Sequence, residues 1–148
     1  MSQALNVHRG WLKAMYIYTI VGAGCVGLGI LLAPEYVRLT LGLPQQERVI
    51  SFGVVGSVYF SFALLSLLGL RSPLKYAPIL FLQLSYKSVW MVAVIVPAVL
   101  AGNFPGYAIL PVAIYATYII GDLKAIPFSY LFASESNRNL NRRGSVSP

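Results

Sequence analysis

Four long runs of apolar residues alternate with short polar segments along the chain, at about 12–33, 49–70, 76–101 and 107–132. Each run reaches the roughly 20 residues that a helix needs to cross a bilayer, and charge inside the runs is almost absent. The pattern predicts an all-α four-helix transmembrane bundle over 1–133. The basic tail 134–148 lacks apolar periodicity, and we expect it to be disordered.

Proline and glycine divide the runs. Arg71-Ser72-Pro73 separates the second from the third, and Asn103-Phe104-Pro105-Gly106 separates the third from the fourth. Such short connections favour antiparallel neighbours, so two hairpins are expected. The segment 34–44 is too short to span and is placed along the membrane interface. Pro97 is expected to kink the third helix.

The composition indicates a membrane protein rather than a soluble one, but it points to no particular reaction. The chain is 57% apolar and 10% charged, against about 25% charged in an average soluble domain. The basic residues stand singly at the ends of apolar runs, a pattern that argues against a nucleic-acid partner and indicates membrane topology. We expect a multi-pass protein of the bacterial inner membrane with both termini cytoplasmic. Its cytoplasmic set is Arg9, Lys13, Arg71, Lys75, Arg138, Arg142 and Arg143, against Arg38 and Arg48 outside.

Lys87 carries the clearest chemical signal, because a lysine inside a transmembrane helix costs roughly 2.5 to 3.5 kcal/mol on insertion scales. Asp122 is the carboxylate expected at a similar depth, since both residues are equally far from the turn at 103–106. Three roles stay open for the pair: a structural ion pair that fixes helix register, a ligand or proton site, or a lysine that snorkels or meets a partner subunit.

Other polar groups fall at helical spacing around this pair. Gln83 precedes Lys87 by one turn, and Tyr115 and Tyr118 precede Asp122 on one face of the fourth helix. Tyr59 on the second helix is expected at the depth of Lys87. Together these residues predict a polar core that could bind an anionic or carbonyl-bearing group or relay a proton. Trp90 lies one turn beyond Lys87, either as a core residue or against a cation, and core is favoured.

Small residues recur on the first two helices, where they let backbones approach closely. The packing candidates are Gly22 and Gly29 on the first helix and Gly53, Ser57 and Ser61 on the second. They favour either a dimerisation face or packing between these helices within one chain. Aromatic residues near the predicted span ends, including Tyr16, are assigned to an interfacial belt.

The sequence contains few residues suited to catalysis or metal binding. Cys25 is the single cysteine and His8 the single histidine, so no metal site and no cysteine- or histidine-based catalytic group is predicted inside the membrane. The sequence leaves the cofactor unknown, and an enzyme is disfavoured without being excluded.

Three stretches carry a family resemblance: Leu31-Leu32-Ala33-Pro34-Glu35, Leu41-Gly42-Leu43-Pro44 and Phe52-Gly53-Val54-Val55-Gly56-Ser57. Over the first two helices the chain resembles small bacterial DoxX-like four-helix membrane proteins. Some members of that group are linked to quinone-coupled redox complexes, and no catalytic residue carries over from them.

Three functions therefore compete. The first is an accessory or binding protein that holds a lipid- or quinone-like ligand, or serves as a subunit of a homo-oligomer or larger membrane complex. The second is a small transporter or proton relay that uses Lys87 and Asp122. The third is a membrane enzyme acting on a lipid or isoprenoid, with Lys87, Tyr59 or Tyr118 as acid or base.

Overall fold

The computed structural model describes residues 8–44 and 49–132, and every regular element in these ranges is helical. The elements are α1 (Arg9–Leu32), α2 (Pro34–Thr40), α3 (Val49–Arg71), α4 (Pro73–Trp90), a π-helical turn (Met91–Ile95), α5 (Val96–Leu100), a 3-10 turn (Gly106–Ala108), α6 (Ile109–Ala125) and α7 (Phe128–Leu131).

Four stretches are long and apolar enough to cross a membrane: Arg9–Leu32, Ile50–Arg71, Pro73–Leu100 and Gly106–Ala125. The prediction of an all-helical chain with four long apolar helices is confirmed for the described part. The tail expected to be disordered, 134–148, lies outside the described residues.

The fourth helix is shorter than the apolar run 107–132 that predicted it. α6 ends at Ala125, and Ile126 has an extended backbone with φ −73° and ψ 122°. Pro127 follows, and the ring of a proline pushes the preceding residue out of the helical region. The apolar residues beyond this break form the separate short helix α7.

The irregularity expected at Pro97 takes the form of a wide π-helical turn over Met91–Ile95, directly before α5. Proline has no N–H to give, and its ring collides with the carbonyl four residues earlier, here that of Ala93. Widening the turn moves that carbonyl aside. α4, the π turn and α5 therefore continue as one 28-residue span.

α1 and α3 make the most extensive helix contact of the fold. Glycine residues at this contact let the two helix backbones approach closely. A Cβ placed on Gly27 would lie 2.5 Å from the backbone nitrogen of Phe60 and 2.8 Å from the carbonyl oxygen of Gly56. A Cβ on Gly56 would lie 2.9 Å from Cβ of Ile30. The two backbones touch here without intervening side chains, as small residues in membrane helices allow.

The predicted packing residues divide between different surfaces. Gly22 faces the phenol of Tyr118 on α6, and a Cβ on Gly29 would lie 2.8 Å from Val37 of α2. Gly53 has no atom within 4 Å of its Cβ position. Ser57 and Ser61 are exposed, and each hydroxyl donates a hydrogen bond to the carbonyl one turn earlier. None of these last three positions shows the close approach seen at Gly27.

Ser72 alone separates α3 from α4, so the two helices meet in a sharp corner. The Tyr16 hydroxyl donates a hydrogen bond of 2.7 Å to the carbonyl oxygen of Pro73 at this corner, and the Tyr16 ring packs against Gly69. Tyr16 is 0% exposed. Its assignment to an interfacial belt was wrong, because the missing side chain of Gly69 leaves room for the ring inside the bundle.

Candidate functional site

Four polar side chains from three helices are buried in the middle of the bundle: Lys87 and Gln83 of α4, Asp122 of α6 and Thr19 of α1. Lys87 is 2% exposed and the other three 0%. Gln83 and Lys87 share one face of α4 because they are one helical turn apart. Lys87 also lies near the middle of the 28-residue span Pro73–Leu100, whereas Asp122 lies three residues before the end of Gly106–Ala125.

Gln83 links three helices through its amide. Its Nε2 donates hydrogen bonds to Oδ2 of Asp122 at 3.3 Å and to Oγ1 of Thr19 at 3.1 Å. The second carboxylate oxygen, Oδ1 of Asp122, is buried and has no hydrogen-bond partner among the described residues. Buried polar atoms are normally paired, so this oxygen keeps an unused acceptor capacity.

Lys87 points its ammonium group at aromatic rings. Nζ lies 4.1 Å from the ring centroid of Tyr118, 4.6 Å from that of Tyr86 and 5.3 Å from that of Tyr115. Cations are attracted to the negative faces of such rings, more strongly where water is excluded. We call these three tyrosines with Lys87 the lysine cage.

Lys87 and Asp122 are neighbours without a direct ion pair. No described carboxylate oxygen lies within 4.0 Å of Lys87 Nζ. The ion pair expected from matched depth is therefore not formed. The Lys87 ammonium instead lies against tyrosine rings, and the Asp122 carboxylate accepts a hydrogen bond from Gln83. Each charge remains buried beside the other, joined through residues one turn away on α4 and α6.

Further aromatic contacts close the cage. The hydroxyls of Tyr59 and Tyr115 form a hydrogen bond that connects α3 with α6. Trp90 meets the Tyr115 ring edge to face, with ring centroids 5.0 Å apart. The Tyr118 hydroxyl donates to the backbone carbonyl of Tyr18 on α1 at 3.1 Å. The cage is thus fixed from all four long helices.

The lysine cage forms the inner end of a cavity of about 590 Å³. Lys87, Tyr59 and Trp90 line this end. The opposite end is lined by Leu43, just after α2, and by Tyr107, in the 3-10 turn before α6. The wall between is apolar, from residues such as Val26, Ile30, Phe52, Val55, Pro111 and Ile114. The cavity therefore joins an apolar passage to one cationic and phenolic end.

Some residues of the predicted polar core line the cavity, and the others lie behind its wall. Lys87, Tyr59, Tyr115, Tyr118 and Trp90 line the cavity. Gln83 and Asp122 lie behind it, as a buried support for the lysine cage.

The sequence analysis missed two residues of the site, Tyr86 and Thr19. Tyr86 directly precedes Lys87 and was not singled out, because neighbours in sequence do not share a helix face. Thr19 carries no charge and stood inside an apolar run, so the only available signal was its polarity within a predicted span.

The site offers hydrogen-bond donors at its inner end. An ammonium carries three N–H donors, and a phenol carries one. The described residues contain no group of three or more histidine, cysteine, aspartate or glutamate side chains placed to hold a metal ion. The arrangement is suited to binding a group that accepts hydrogen bonds within apolar surroundings.

No protein-family model matches the chain, and no curated protein or solved structure is significantly similar to it.

Proposed function

We propose that this protein is a multi-pass binding protein of the bacterial inner membrane that holds a lipid-soluble, carbonyl-bearing ligand of the quinone type. The observation that carries the proposal is the cavity of about 590 Å³ that ends at the Lys87 ammonium. No carboxylate of residues 8–44 and 49–132 contacts this ammonium directly. A ligand carbonyl would accept a hydrogen bond that the described residues do not.

Depth favours a ligand that is apolar apart from its carbonyl. Lys87 lies near mid-span, about half of the roughly 30 Å hydrocarbon thickness from either interface. A phosphate-bearing head group would lose its hydration there at high energetic cost. A quinone ring crosses this region readily, and its prenyl chain matches the apolar wall that leads toward Leu43 and Tyr107.

Size agrees with this class of ligand. Cavities for small molecules and cofactors measure about 300 to 1,000 Å³ and are mostly apolar with a few placed polar groups. A cavity of about 590 Å³ accommodates a substituted ring with a short part of its chain. We propose that the remainder of the chain leaves the bundle at the α2 end.

The topology completes the proposal. We assign both termini to the cytoplasm and pair α1 with α3 and α4 with α6 as two hairpins, in the manner of the DoxX-like proteins that the first two helices resemble. The α2 end of the cavity then faces the outer leaflet. Few catalytic groups line the site, so we propose a ligand-holding accessory role, alone, as a homo-oligomer or within a larger membrane complex.

Tryptophan fluorescence tests the proposal directly, since the chain has two tryptophans. Trp90 lines the cavity, and Trp11 is 50% exposed on the outside of α1. In Trp11→Phe, reconstituted in lipid nanodiscs, decylubiquinone should quench Trp90 saturably. In Trp90→Phe, which retains Trp11, quenching should stay linear and unsaturated.

Lys87→Met in the Trp11→Phe background should weaken quinone binding about tenfold or more, because a hydrogen bond from a charged donor contributes about 1.5 to 3 kcal/mol. Lys75→Met is the matched control: it removes an exposed lysine of the same helix and should leave binding unchanged. Equal, unsaturated quenching of Trp90 and Trp11 would remove the basis for the proposal.

A proton relay through Asp122 is the second candidate, and the unpartnered Oδ1 of Asp122 favours it. A buried carboxylate that can accept a proton is a recurrent element of proton-conducting membrane proteins. Proteoliposomes containing a pH-sensitive dye would report proton flux. Flux that Asp122→Asn abolishes would favour the relay, and an absence of flux in the wild type would exclude it.

A further inference from the structure

We infer that Asp122 is a specificity-determining residue that makes the lysine cage select neutral carbonyl ligands over carboxylates of the same chain length. The inference rests on the proposed function, because it concerns the ligand class of the same cavity. A lone buried ammonium would attract an anion such as a fatty-acid carboxylate. Asp122 changes that preference without contacting the ligand.

The charges of the site already balance. In their ordinary ionised forms Lys87 and Asp122 carry opposite charges, and both side chains are buried. The other acidic residue in the described part of the chain, Glu35, lies on α2 and pairs with Arg38. A bound carboxylate would place two negative charges against a single ammonium in a medium of low dielectric, where uncompensated charge is costly. A neutral carbonyl leaves the balance intact.

Asp122 is close enough for its charge to act on the cage. Gln83, which donates to its Oδ2 at 3.3 Å, is one turn from Lys87 on α4. Tyr118, whose ring centroid lies 4.1 Å from Lys87 Nζ, is one turn from Asp122 on α6. Oδ1 receives no hydrogen bond from the described residues, so its charge is only partly offset by donors.

Asp122 does not line the cavity, unlike Lys87 and Tyr118. Substitution at position 122 therefore removes the charge and leaves the walls that touch the ligand in place. Asp122→Asn keeps the shape and an oxygen acceptor for Gln83. Asp122→Leu replaces the carboxylate with an apolar side chain of similar size and leaves Lys87 without its buried counter-charge, so it should also lower the stability of the fold. Asp122→Glu retains the charge and is the matched control.

The experiment uses the Trp11→Phe background and measures the recovery of Trp90 fluorescence as methyl dodecanoate or dodecanoate displaces decylubiquinone from the cavity. The two competitors share a chain and a carbonyl and differ in charge at about pH 8, well above an ordinary carboxyl pKa of about 4. Bilayer concentrations of both are measured by partitioning into empty nanodiscs. Their affinity ratio then refers to the site alone.

In the wild-type site the ester should bind about tenfold or more tightly than dodecanoate, the ratio that corresponds to about 1.4 kcal/mol. Asp122→Asn and Asp122→Leu should each improve dodecanoate by about tenfold and change the ester little. Asp122→Glu should keep the wild-type ratio.

Two failures are distinguishable. Without saturable quenching of Trp90 by decylubiquinone, the proposed function falls, and the selectivity falls with it. If the quinone binds but wild type holds dodecanoate as tightly as the ester, only the role of Asp122 is refuted. The same conclusion follows if neither neutral variant improves dodecanoate while still binding the quinone. If both variants aggregate, a wild-type ratio near one still refutes the role of Asp122.

Discussion

The contact between α1 and α3 should be intolerant of a single methyl group at Gly27. In Gly27→Ala, the new Cβ would sit 2.5 Å from the Phe60 nitrogen and 2.8 Å from the Gly56 carbonyl oxygen, both backbone atoms that no rotamer change can move. Ordinary contacts begin at 3.4 Å. The helices must therefore separate by up to about 0.9 Å at this point.

A gap of about 0.5 to 1 Å forfeits a quarter to a half of the van der Waals attraction between facing atoms. Overpacking of this kind costs about 1 to 3 kcal/mol. Alanine returns up to about 1 kcal/mol through its higher helix propensity. Taking the middle of the overpacking range less the full helix-propensity gain, the expected net effect is a loss of about 1 kcal/mol in the free energy of unfolding.

Gly53→Ala is the matched control, because it makes the same substitution on α3 where no atom lies within 4 Å. Reversible unfolding in mixed micelles, followed by circular dichroism, measures both variants. Gly53→Ala should equal or exceed the wild type in stability, and Gly27→Ala should fall below it. Equal stability of the two variants would refute the argument that α1 and α3 touch backbone to backbone at Gly27.

Two further predictions concern the ends of the helices. Tyr16→Phe removes the 2.7 Å, part-buried hydrogen bond to the Pro73 carbonyl, so unfolding in mixed micelles should become easier by about 0.5 to 1.5 kcal/mol; an unchanged midpoint would contradict this. On α2, the hydrogen bond from Arg38 lowers the pKa of the Glu35 carboxyl below its ordinary 4.5. Because the folded-state pKa is depressed, the contribution of this pair to stability is present above about pH 4.5 and is lost as the pH falls through the folded value. A carboxyl ¹³C NMR titration should show this lowered pKa in the wild type and an ordinary one in Arg38→Gln.

The sequence was most informative where one physical signal dominated. Uncharged runs of about 20 residues have few alternatives to membrane helices, and four such helices are present in the described chain. Helical spacing also placed Gln83 with Lys87 and Tyr118 with Asp122 on common faces. These inferences depend only on periodicity, which is set by local backbone geometry.

The sequence was less informative where the outcome depended on how the helices cross. Gly27 and Gly53 look alike in sequence, yet a Cβ on Gly27 would collide with the backbone of α3 and a Cβ on Gly53 would meet no atom within 4 Å. Tyr16 resembled an interfacial residue until Gly69 gave its ring a buried position. The partner of Lys87 could not be chosen either, because tyrosine rings and a carboxylate stand at similar depth and only side-chain geometry decides between them.

The corner at Ser72 has a mechanical consequence for the cavity. With one residue between Arg71 and Pro73, the ends of α3 and α4 are tethered at a separation that the chain cannot extend. Any change in the angle between these helices must pivot at this vertex, where Tyr16 is fastened. When α3 and α4 pivot about Ser72, the displacement of a residue grows with its distance from Ser72. Tyr59 and Lys87 therefore move more than the corner, and Phe52 and Trp90, which lie farther along the two helices, move more than either. Opening this angle would widen the cavity and leave the vertex itself unchanged.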